Sequence, residues 1–130
     1  MTATHLRLEP RTRPLVAVLC SVPLVGEAIA GALEFAEVRT FAAGGGDLEG
    51  LLASLRPDAL IVDSAAGAEA ATEFARAYDL PVVHVSVRDR TLHLFRAGEW
   101  EQVSNGEGPT PEAIRNLVAG ALFARGGPVR

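Results

Sequence analysis

The sequence predicts an α/β fold: one three-layer domain with a mostly parallel sheet between helices. Three observations carry that expectation. Apolar runs of strand length recur at residues 15–19, 59–63 and 82–87. The segments between them repeat their apolar residues at helical spacing. After residue 87 the alternation stops, because only Arg88, Asp89 and Arg90 separate that strand from the next apolar segment. Three residues leave no room for a helix, so a β-hairpin is expected there.

Each element has its own signal. LVAVL at 15–19 is a continuous apolar run, the pattern of a strand buried on both faces. Val25, Ala28, Ile29, Ala32 and Leu33 then follow at helical spacing. EVRTFA at 37–42 alternates as a second strand, and three glycines at 44–46 break it as a turn. Leu48, Leu51, Leu52 and Leu55 form an i, i+3, i+4, i+7 stripe behind Asp47, a suitable N-cap. Pro57 ends that helix, and ALIVD begins the third strand. Residues 68–78 read as a helix with Ala71, Phe74, Ala75 and Tyr78 facing inward. VVHVSV at 82–87 is the fourth strand. This βαβαβαβ order gives a parallel sheet with helices on both faces. TLHLFR and EWEQV, joined by Ala97 and Gly98, form the hairpin. Thr110 as N-cap, Pro111 in the first turn and Glu112 near the positive helix end open a final helix. Its inward stripe is Ile114, Leu117, Val118, Ala121 and Leu122. Residues 1–13 read as a flexible arm, 14–125 as the domain and 126–130 as a frayed tail.

Composition narrows the function classes. The chain has 130 residues and a net charge of -4. That balance argues against nucleic acid as a partner, since neutralising phosphates calls for a basic surface. All 12 basic residues are arginine, so no role that needs a lysine ammonium is open. The single cysteine, Cys20, excludes an intramolecular disulfide and a cysteine zinc cluster. No apolar run approaches the roughly 20 residues that span a bilayer. Pro10 and the arginines at 7, 11 and 13 precede the first apolar segment, unlike a signal peptide. A cytoplasmic protein with no membrane partner is expected.

RPDALIVDS at 56–64 places Asp63 at the carboxyl end of a central strand, where open α/β sheets present their sites. With LPVVHVS and VAVLCSVPLVGEAI, this segment resembles the receiver domain of two-component response regulators. The likeness covers residues 14–87 and, loosely, the final helix. It implies a flavodoxin-like or receiver-like fold in which a hairpin replaces the fourth helix. Asp63 takes the position of the family's phospho-accepting aspartate, and Ser86 that of a phosphoryl-binding hydroxyl. The first-strand segment is similar to receivers of the LuxR-type regulators, and there the family's acidic pair falls on Cys20 and Ser21. A thiol and a hydroxyl are poor magnesium ligands beside one carboxylate. The family's lysine has no counterpart, and Arg96 stands only near its place. The resemblance therefore implies an atypical, non-catalytic receiver: a regulatory or interaction module without a cofactor. Asp63, Ser86, Cys20 and Ser21 would form a vestigial phospho-site pocket. Such a module works as a homodimer or on a separate protein partner that the sequence does not identify.

Other readings stand beside this one. In the alternative readings Asp63 accepts phosphate as in working receivers, or caps a loop or the next helix. Cys20 before a helix suggests a phosphocysteine carrier, like the IIB components of sugar phosphotransferase systems. Its following loop is apolar and Gly26 stands where a phosphatase loop has arginine, so a buried thiol is expected. His84 and His93 on adjacent strands suggest a metal or pH site, but without a third ligand no metal is expected. Trp100, with Phe95 and Arg96, marks a hairpin surface that either packs internally or anchors a partner.

Overall fold

The computed structural model describes residues 13–42, 47–103 and 109–126. Six strands and four helices follow one another as β1 (Leu15–Cys20), α1 (Pro23–Ala32), β2 (Glu37–Ala42), α2 (Leu48–Leu55), β3 (Ala59–Val62), α3 (Ala65–Tyr78), β4 (Val82–Ser86), β5 (Thr91–Arg96), β6 (Glu99–Gln102) and α4 (Pro111–Gly126). They form one mixed sheet in the order β2-β1-β3-β4-β5-β6. The first four strands are parallel. β5 and β6 run antiparallel to their neighbours and close one edge. The expected hairpin is present, and residues 87–90 form a turn in place of a helix.

The pleat sorts the strand residues into two cores. Val16, Val18, Ile61, Val83 and Val85 pack with Ile29 and with Ile114, Val118 and Ala121 of α4. Ala17, Leu19, Leu60, Val62 and Val82 pack with Leu52 of α2 and with Ala71 and Phe74 of α3. The first core continues through Leu92 and Leu94 of β5 to Val103. The second ends at Phe95, and Thr91, His93, Trp100 and Gln102 on the same face belong to neither core.

Local chemistry fixes the element ends. Asp47 accepts the Gly50 N–H at 3.1 Å, Ser64 the Gly67 N–H at 3.0 Å, and Thr110 Oγ1 the Ala113 N–H at 3.1 Å. Each satisfies an amide that a helix start leaves unpaired. The β5–β6 turn places Ala97 at φ 56° and Gly98 at φ 83°. Two positive φ values in a two-residue loop suit the twist of a hairpin.

Some sequence expectations need adjustment. α1 begins at Pro23 instead of Val25, since proline fits a first helical turn that needs no amide donor. α3 begins three residues early, because Ser64 caps it. Tyr78 is 51 % exposed instead of inward. It lies at the last turn, where its ring stacks on Phe74 with centroids 4.5 Å apart. Leu51 is also exposed, so the α2 stripe is narrower than its spacing implied. The GGG turn lies outside the described residues, as do the arm up to residue 12 and the tail from residue 127. Among the described residues, no helix is long and apolar enough to cross a membrane.

Candidate functional site

β3 carries an acid just beyond each end, and both acids bind the chain around β1. At the amino end, Asp58 accepts the Leu15 N–H at 2.8 Å, and its own N–H donates to the Leu15 carbonyl at 2.7 Å. At the carboxyl end, Asp63 accepts the Ser21 N–H at 2.8 Å on Oδ1 and 3.0 Å on Oδ2. Ser21 Oγ donates to Oδ1 at 3.0 Å, and the Val22 N–H reaches Oδ2 at 3.3 Å. The reason lies in α1, whose N-cap is Val22, a residue without a capping side chain. α1 also has no acid in its first turn. Asp63 supplies both the acceptor and the negative charge from 42 residues away. The carboxylate thus holds the turn into α1, through the N-cap amide and the residue before it, not the helix that follows its own strand.

The other strand-end residues do not converge on Asp63. Ser86 Oγ donates to Asp89 at 3.1 Å and accepts the Asp89 N–H at 3.3 Å, which builds the turn into β5. Cys20 is buried, and its thiol points toward the Phe41 carbonyl at 3.8 Å. A Cβ added at Gly26 would stand 2.7 Å from the sulfur, so α1 lies directly against the thiol. Of the four residues, Ser21 and Asp63 are joined by hydrogen bonds, while Cys20 and Ser86 bond elsewhere.

The hairpin presents a second constellation. β5 pairs Phe95 with Val82 and His93 with His84, while β6 pairs Trp100 with Phe95. All five therefore share one face of the sheet. The Trp100 ring lies 5.3 Å from Phe95 and meets His84 edge-on at 6.4 Å. Phe95 is 2 % exposed, so it supports this surface without forming it. The Arg76 guanidinium covers its ring at 5.6 Å. Arg96 falls on the opposite face by strand alternation, with its guanidinium 3.8 Å from Glu101. Of the three hairpin residues, Trp100 alone presents a contact surface on this side, at 38 % exposure.

Trp100 and His84 line an open groove of about 520 Å³ whose other wall is α3, with Glu69, Glu73 and Arg76. Burial and the neighbouring His93 hold His84 below the usual histidine range, while Asp63 and Asp89 act weakly the other way. Among the described residues, no group of three histidine, cysteine or acidic side chains is placed to hold a metal. Sequence reasoning missed Asp58, Arg76 and Gly26. The Pro57–Asp58 pair was visible, but its bond to Leu15 spans 43 residues. Comparison with protein-family models, with curated proteins and with solved structures gives no match.

Proposed function

We propose that the chain is a non-catalytic regulatory or protein-interaction module on a three-layer, receiver-like frame with a hairpin in place of the fourth helix. The observation that supports this most is the occupation of Asp63. Both of its oxygens are engaged with Ser21 and Val22. A phospho-accepting aspartate needs a free oxygen for attack and a divalent ion beside it. Here the neighbours are a serine and a buried thiol where the receiver resemblance expects two acids. A carboxylate already capping a helix is a structural group.

Function then falls to surfaces. Trp100 stands partly exposed on an edge hairpin, and aromatic anchors of that kind dominate protein contacts. Leu24 on α1 is 72 % exposed and offers a second apolar contact. The module acts through homodimerisation or through docking of a separate protein.

Two measurements test the reading. Titration with magnesium and beryllofluoride, read from the amides of Ser21, Val22 and Gly67, should leave those signals unmoved. Saturable shifts there would return Asp63 to a phospho-accepting role. Light scattering over a concentration series should detect a dimer. A strict monomer that also recovers no partner in a native pull-down overturns the interaction reading.

A further inference from the structure

β4 and β5 bring two imidazoles together on the sheet face that carries Trp100. His84 and His93 are direct partners in the antiparallel register. Such partners project from one face with Cβ atoms about 4.5–5.5 Å apart. Their ring centroids are 6.0 Å apart and their planes are inclined at 34°. A ring bound through nitrogen at about 2.0–2.1 Å has its centre just beyond 3 Å from the ion, so two such rings sit roughly 5–6 Å apart. The observed separation is within a small rotamer adjustment of that range.

Further features fit an ion between the rings. The Nδ1 atom of His93 is buried and has no hydrogen-bond partner among the described residues. A buried polar atom of that kind calls for an explanation, and the described residues supply none. His84 faces that ring as its direct partner across the two strands. It also lines the open groove, which gives an ion and its waters a path from solvent.

We propose that His84 and His93 form a two-imidazole site for a late first-row divalent transition ion. Cu²⁺ binds most tightly, with Ni²⁺ and Zn²⁺ weaker, as expected for nitrogen donors. Mg²⁺ and Ca²⁺ are excluded by their preference for oxygen. Among the described residues no third side chain completes the set, so water fills the remaining positions and binding is reversible. The bound ion links β4 to β5 across the hairpin and sits beside Trp100. The site stands independently of the interaction reading above.

The chain carries its own probe, because Trp100 is the only tryptophan and its ring is 6.4 Å from His84. Addition of Cu²⁺ to the whole chain in a non-coordinating buffer should quench its fluorescence and saturate at one equivalent. His84→Gln and His93→Gln should each weaken binding by about tenfold or more, since even supporting residues of metal sites matter that much. The third histidine is His5, and His5→Ala should leave the titration unchanged. Quenching that survives in the double glutamine variant, or that disappears with His5, overturns the proposal. Zn²⁺ does not quench, so its effect is read as a rise in Tm in the wild type that the double variant lacks. If the glutamine variants do not fold, Cu²⁺ broadening of amide signals in the wild-type chain decides. Broadening centred on residues 84 and 93 supports the site, and broadening centred elsewhere overturns it.

Discussion

The two halves of the sheet solve different problems. β1 and β3 are parallel and buried on both faces, with Val16, Val18, Leu60 and Ile61 fully enclosed. The β5–β6 hairpin has core on one face, through Leu92 and Leu94, while on the other only Phe95 is buried and a partly exposed tryptophan and histidine extend beyond it. A strand covered on both sides offers chemistry only at its ends, and here those ends are occupied by Asp58 and Asp63 holding β1. A strand covered on one side keeps a face free for a partner or a ligand. Stability is therefore concentrated in one half and available surface in the other.

Substitution should expose that division. Leu60→Ala should destabilise by about 2–5 kcal/mol in chemical denaturation, because a fully buried leucine leaves a cavity. Trp100→Ala should stay within about 1.5 kcal/mol, the order of its ring contacts, although the side chain is far larger. Comparable losses at the two positions would break the comparison.

Gly26→Ala should destabilise by about 1–3 kcal/mol, since its methyl group meets the buried Cys20 sulfur. In a Cys20→Ala background the same change should become neutral or favourable, because alanine exceeds glycine in a helix by about 1 kcal/mol. A double-mutant cycle by urea unfolding measures that reversal, and additive values would remove the proposed contact. Asp63→Ala should lower stability by about 1–2 kcal/mol, the usual range for a lost helix cap. Faster hydrogen exchange at the α1 amides would locate the loss. An unchanged unfolding midpoint would show that α1 needs no cap.

The smallest effect is that of pH on the metal-free chain. His84 is held below the ordinary histidine value of 6.5 in the folded state, so the unfolded chain takes up its proton first. The His84 contribution is therefore fully present above pH 6.5 and is lost as pH falls through the lower folded value. In a chelator-containing buffer, His84→Gln should flatten the slope of stability against pH in that window. A slope equal to the wild type would assign it to other groups.

The parallel half was the more legible in sequence. Its strands are continuous apolar runs, and its helices carry period and caps close together, as Asp47 and Thr110 do. The hairpin could be read from the three-residue connection and the Ala97–Gly98 turn. Long-range pairings were hidden for a physical reason. Nothing local to Asp63 records that Val22 cannot cap α1, so the carboxylate looked available for chemistry. Tyr78 had the right helical spacing but is the last residue of α3, where it stacks on Phe74 and stays half exposed. Phe95 alternates like a surface residue, and its packing in the core beneath α3, with Arg76 over its ring, explains its burial. The facing of His84 and His93 followed from the two strand assignments, yet their separation and the burial of the His93 nitrogen are set by tertiary packing that no local pattern records.

The contact between Gly26 and the Cys20 sulfur has a practical consequence for motion. With α1 packed on the sulfur, a reagent or oxidant reaches the thiol more readily when α1 lifts from the end of β1. The labelling rate of Cys20 under native conditions is therefore a clock for that opening. Because the chain has one cysteine, the signal is unambiguous without any engineered label. A partner or ion that clamps the domain would slow the clock, and loss of the Asp63 cap would quicken it.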